Sequence, residues 1–110
     1  MQLQPIISAA GPLPLTATFT PAAVGPVVFV VTGTAWLSAA PGSIGFQVYL
    51  NGDLIGTASM FANEGSDHMT LPSLFLNASI TSQQQQKIAV VAVGATLTDF
   101  NDNFSVQMLL

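Results

Sequence analysis

The chain has 110 residues, half of them hydrophobic, and only 5% are charged, against about a quarter in an ordinary domain. With one Lys, no Arg and a net charge of −4, it lacks the cations that neutralise phosphates or hold an anionic membrane surface, which excludes both kinds of partner. The absence of Cys excludes disulfides, thiolate metal sites and thiol redox chemistry, and leaves the compartment unassigned.

Residues 1–110 read as one domain, long enough to bury a real core. No window holds a sustained i, i+3, i+4, i+7 apolar stripe, and seven Pro and nine Gly interrupt the chain. Strand signals instead recur about every ten residues, the mark of an all-β sandwich or barrel. The opening MQLQPIISAAGPLPL has no basic n-region and does not read as a signal peptide. Its apolar runs, like VVFVV and IAVVAV, are far shorter than the roughly 20 residues of a spanning helix, so no membrane insertion is expected.

Gln4–Ser8 forms a first short strand, with Pro5 tolerated at an edge. Leu15, Ala17 and Phe19 alternate with Thr16, Thr18 and Thr20 in a half-buried strand that Pro21 ends. Val27–Trp36 (VVFVVTGTAW) is apolar on both faces in its first half, and Gly33 is a candidate bulge. After a loop over 37–42 comes SIGFQVYLNGDLIGTASMF, which reads as a β-hairpin. Asn51-Gly52 favours a type I′ turn, since both central residues need φ > 0. Leu50 then faces Asp53, Tyr49 faces Leu54 and Val48 faces Ile55. Phe46, Val48, Leu50, Ile55 and Thr57 fall on one face; Gln47, Tyr49, Leu54 and Ala58 fall on the other.

Residues 61–68 form the most polar loop. Met69, Leu71, Leu74 and Leu76 lie in a strand interrupted by Pro72. Residues 77–87, with four consecutive Gln, read as a solvated connection. Ile88–Val93 is again apolar on both faces; 96–103 is a loop rich in turn formers; and Phe104, Val106, Met108 and Leu110 alternate in a last strand. About eight strands result, arranged as an antiparallel β-sandwich of jelly-roll type. The two doubly apolar strands point to contacts between copies of the chain. A neutral Thr/Gln-rich surface on a monomer is the alternative.

Catalytic residue types are scarce: one His, one Lys and no Cys. Ser66, Asp67 and His68 are adjacent in sequence, whereas a nucleophile triad is assembled in space around an oxyanion hole, so no enzyme is expected. Asp99, Asn101 and Asp102 offer hard oxygen ligands of the kind calcium takes. The alternative is that this Asn/Asp-rich loop simply forms Asx-turns. Neutral sugars are bound by amide, carboxylate and hydroxyl groups beside an aromatic ring. Trp36, Tyr49 and His68, with Asn63, Glu64 and Asp67, supply those types. Each aromatic also has a structural reading: Trp36 as core, Tyr49 as a half-exposed strand residue, His68 as a hydrogen-bonded strand start.

The succession GPVVFVVTGTAW, IGFQVYLNGDLIG, KIAVVAV and NDNFSVQMLL resembles the C1q/TNF-like jelly-roll superfamily over about residues 25–110. It departs from that pattern in having eight clear strands where the family has ten, and in lacking its aromatic-rich core. The resemblance implies a homotrimer and a non-catalytic role, a setting at a cell or particle surface, and no binding residue position by position; some bacterial members are sugar-binding lectins. The reading is therefore a recognition or assembly module, with a soluble lectin using the 63–68 loop as the alternative.

Overall fold

The computed structural model describes residues 2–110. It holds nine strands and no helix among them: β1 Leu3–Ala10, β2 Leu15–Phe19, β3 Gly25–Ala35, β4 Gly42–Leu50, β5 Asp53–Ala62, β6 Met69–Thr70, β7 Leu74–Ile80, β8 Gln86–Ala92 and β9 Asn103–Leu109. Every pairing is antiparallel. One sheet runs β1-β9-β3, with β7 and then β6 along the far edge of β3; the other runs β2-β8-β4-β5. First strand beside last, second beside second-to-last, third beside sixth and seventh, fourth beside fifth: the chain is one long antiparallel hairpin rolled up, which is a jelly roll.

The two-residue periodicity of the sequence places the core. In β3, Val27, Phe29, Val31 and Ala35 are buried, while Val28, Val30, Thr32 and Thr34 are half-buried on the outer face. Phe46, Val48, Ile88 and Val90 from the second sheet meet Phe104, Val106 and Met108 from the first. Full burial of each such side chain stabilises by about 1.5–3 kcal/mol. Phe46 and Phe104 pack edge to face, with ring centroids 6.2 Å apart.

The β4–β5 turn is formed as expected, with φ of 52° at Asn51 and 88° at Gly52, and with Tyr49 opposite Leu54 and Leu50 opposite Asp53. One step further the register departs. A bulge beside Val48/Tyr49 sets Val48 opposite Gly56, not Ile55, and Ala58 opposite Phe46. The extra residue reverses the faces of β5, so Ala58 is buried and Thr57 is exposed. Gly33 marks no bulge: its pairing with Phe104 is regular. It is the close approach of that ring that needs glycine, since a Cβ there would lie 2.5 Å from it. The expected strand around Pro72 is split in two, giving nine strands rather than eight. Residues 77–80, expected in a solvated connection, extend β7.

The accessible surface is 5728 Å², and a compact monomer of 11.4 kDa has about 5,800 Å². The outer valines of β3 are half-covered within the single chain, so burial of the core itself does not require a second copy.

Candidate functional site

One end of the sandwich gathers the loops 37–41, 63–68 and 93–102. The register of β3 explains the gathering. Ala35 pairs with Met69, so the next positions outward, Trp36 and His68, are neighbours; their ring centroids lie 5.5 Å apart at 34°. On the other edge of β3, Gly33 pairs with Phe104, which brings the start of β9 and the preceding Asp102 beside Thr34.

The 93–102 loop is pinned by its own hydroxyls and by β3. Thr96 Oγ1 accepts the Gly45 N–H at 2.9 Å, and Thr98 Oγ1 accepts the Leu13 N–H at 2.8 Å. Between them, Leu97 and Trp36 exchange backbone hydrogen bonds of 2.8 and 3.0 Å. The 63–68 loop is held by the Ser66 N–H on the Leu37 carbonyl at 2.7 Å.

Asp102 is fully buried and is the only ionisable side chain in that class among the described residues. Its oxygens are matched to three donors: Thr34 Oγ1–H to Oδ1 at 2.8 Å, His68 Nδ1–H to Oδ1 at 2.7 Å, and the Asp99 N–H to Oδ2 at 2.8 Å. A carboxylate so supplied fits the rule that buried polar groups are hydrogen-bonded. Asp99 Oδ1 accepts the Asn101 N–H at 2.8 Å, an Asx-turn. The free polar atoms of the cluster are therefore His68 Nε2 and Asp99 Oδ2, 3.8 Å apart, with both side chains about a third exposed.

The hydrogen bond to Asp102 holds the His68 pKa above its ordinary 6.5, working against desolvation; the charges of Asp102, Asp99 and Asp67 add to it.

His68, Asp99 and Asp102 form a group able to hold a metal ion, with candidate ligand atoms within 4.8 Å of one another. The sequence placed His68 with a sugar-binding loop and Asp99, Asn101 and Asp102 with a separate calcium loop; the fold merges the two. It also divides their roles. Asp102 is interior and engaged, while Asn63, Glu64, Asp67 and Asn101 are exposed around it. Trp36 is half-buried, and its Nε1 is buried without a hydrogen-bond partner.

Tyr49 does not join them. β4 starts beside Leu37 and runs to the 51–52 turn, so Tyr49 lies seven residues, about 23 Å of strand, from the start of β4. There its hydroxyl donates to Gln47 Oε1 at 2.9 Å. Two site residues escape sequence reasoning. Thr34 looks like one more outward Thr of a strand. Phe100, between Asp99 and Asn101, is 82% exposed; an aromatic inside a run of turn formers is the signal that marks it.

Comparison with protein-family models gives no match, and comparison with curated proteins gives none. Among solved structures, the chain is similar to part of dimeric latent PorU from Porphyromonas gingivalis, with a TM-score of 0.57 and 14% identity. That likeness covers 87% of this chain and 10% of the other, so the chain spans about a tenth of PorU. It is also similar to the EclA C-terminal domain, described as a sugar-binding protein, with a TM-score of 0.52, 19% identity and coverage of 96% and 71%. A CBM36-1 domain of a multidomain xylanase from the hindgut metagenome of Trinervitermes trinervoides has a TM-score of 0.47 at 17% identity, covering 94% and 75%. The first two likenesses establish a shared β-sandwich fold.

Proposed function

We propose that this domain is a non-catalytic recognition module that binds neutral carbohydrate at the loop end of the sandwich. The observation that carries the reading is Phe100, 82% exposed in the same loop as Asp99 and Asn101. An open aromatic face beside carboxylate and amide groups matches a sugar ring, with its apolar side and its hydroxyls. The sugar-binding description of the EclA domain, which shares the fold, supports it. Phe100 replaces Trp36 as the stacking ring, because the Trp36 indole is turned into the protein and against His68. Glu64, Asp67 and Asp99 at the rim disfavour uronic acids, sialosides and phosphosugars.

Catalysis is the weaker reading of the same end. In a hydrolase the His68–Asp102 pair would present Nε2 to a nucleophile. Nε2 faces the carboxylate of Asp99 instead, and no hydroxyl bonds to it among the described residues. Calcium as a partner of the site needs oxygen ligands beyond Asp99, since Asp102 is occupied by its three donors.

A glycan array followed by calorimetry tests the proposal. Neutral glycans bind, Phe100→Ala weakens binding roughly tenfold with the melting temperature unchanged, and Tyr49→Ala leaves binding intact. A blank array, or affinity indifferent to Phe100→Ala, overturns it.

Self-assembly is the second reading, carried by the outer face of the β1-β9-β3-β7 sheet. Leu3, Val28, Phe75 and Leu109 lie there with no ionic side chain among them. Light scattering gives three times the 11.4 kDa chain mass for a homotrimer and the single mass if the face stays bare.

A further inference from the structure

We propose that His68 and Asp99 bind a divalent transition-metal ion of the zinc class, with Asp102 as the positioning residue behind the imidazole. Three observations carry it beyond the sugar-binding reading, on which it does not depend.

The first is the tautomer. A carboxylate only accepts, so the 2.7 Å contact between Nδ1 and Asp102 Oδ1 fixes a proton on Nδ1. In the neutral ring the lone pair is then on Nε2, the nitrogen that faces outward. Metal-binding histidines characteristically donate their other N–H to a carboxylate, which fixes ring orientation and raises ligand basicity. Here Asp102 is itself held by Thr34 and by the Asp99 backbone, so the orienting group cannot drift.

The second is the gap. Nε2 and Asp99 Oδ2 are 3.8 Å apart, too far for a hydrogen bond. Two ligand atoms about 2.1 Å from one tetrahedral ion stand about 3.4 Å apart. Closing the difference takes about 0.4 Å, a small swing for two partly exposed side chains. An imidazole nitrogen paired with a carboxylate oxygen suits zinc, cobalt or nickel better than calcium, which takes oxygen throughout.

The third is the field. Asp53 and Lys87 both lie near the 51–52 turn at the opposite end, and their formal charges sum to zero. The net charge of −4 thus comes from Glu64, Asp67, Asp99 and Asp102, all at this end. Such a concentration of one sign raises the local concentration of cations.

The test titrates the chelator-treated 110-residue chain with ZnCl2 by calorimetry and with CoCl2 by visible absorption. His68 is the only histidine and there is no cysteine, so an imidazole–cobalt spectrum has one origin. One saturable zinc site is expected, weakened at least tenfold by His68→Gln and by Asp99→Asn and unchanged by Asp53→Asn. Asparagine at 99 keeps the Oδ1 acceptor of the local turn, so the loop survives the exchange. No saturable zinc binding below about 1 mM, affinity unaltered in His68→Gln, or calcium bound more tightly than zinc would each overturn the assignment. Sugar affinity enters none of these readouts, so the two proposals fail separately.

Discussion

Asp102→Asn tests the centre of the loop cluster. The side chain keeps its shape but loses its charge, and one oxygen becomes an NH2 group. With the amide oxygen in place of Oδ1, Thr34 and His68 keep their acceptor, and the NH2 confronts the Asp99 N–H, a donor against a donor. With the amide reversed, the NH2 faces Thr34 and His68, and satisfying it requires the imidazole proton to move to Nε2 and the hydroxyl to turn. Either orientation gives up the present network, and the loss is worked here for the first. A hydrogen bond to a charged acceptor contributes about 1.5–3 kcal/mol, and a buried donor left without a partner costs about 1–3. Losing the Asp99 bond and neutralising the Thr34 bond therefore destabilises by roughly 2–4 kcal/mol. Unfolding entropy near 2.1 cal/mol/K per residue makes each kcal/mol about 4 °C for 110 residues. The melting temperature should fall by about 10–15 °C in calorimetry. The same substitution removes the main cause of the raised His68 pKa, so the His68 titration, followed by proton NMR, should move down toward 6.5. A melting temperature within about 2 °C of the parent, or an unmoved His68 titration, would show that Asp102 does not organise this end.

Two further predictions test other links. Gly33→Ala places a methyl group 2.5 Å from the buried Phe104 ring, which in turn packs on Phe46, so thermal unfolding should show a loss of about 1–3 kcal/mol; a cost under about 0.5 kcal/mol would mean that the ring is free to yield. In metal-free protein, the raised His68 pKa makes its contribution to stability complete below 6.5 and lost as pH climbs through the folded value, with Asp67, Asp99 and Asp102 as the charges that face it. Melting curves across neutral pH should show that decline, and His68→Gln should abolish it; a midpoint at or below 6.5 by NMR contradicts the sign.

Much of the fold was legible because period-two patterning and turn chemistry are local. Asn51-Gly52 specifies its own turn, and the outward Thr16 and Thr18 of β2 are exposed as their alternation implies. The bulge at Val48/Tyr49 was hidden, because alternation cannot count an extra residue that only the partner strand reveals. Residues 77–80 misled for a related reason. Asn77 and Ser79 are polar because they face outward from a strand opposite Val28 and Pro26, and outward polar residues look the same in strands and loops. For the site, each loop was visible as a set of sugar- or metal-binding residue types, but their meeting was not. His68 and Asp102 are 34 residues apart, and they touch because both flank the end of β3.

That same strand end explains why a chain so poor in charge keeps one carboxylate in its interior. A buried acid is costly unless its partners are fixed, and three elements supply them here: Thr34 from β3, His68 from the 63–68 loop and the Asp99 backbone from the 93–102 loop. If Asp102 served only to tie these loops, an apolar side chain of similar size in an apolar pocket would suffice, since replacing a buried polar cluster by well-packed hydrophobic residues is often neutral or stabilising. An apolar cluster would not turn a histidine nitrogen outward toward a second carboxylate, nor hold an exposed aromatic beside it. On the proposed function, the arrangement is accounted for by what it presents to solvent and not by the stability it adds. Replacing Thr34, Asp102 and His68 together by Val, Leu and Leu separates the two accounts: stability that is kept while zinc and glycan binding vanish assigns the cluster to recognition, whereas a collapse of the fold assigns it to structure.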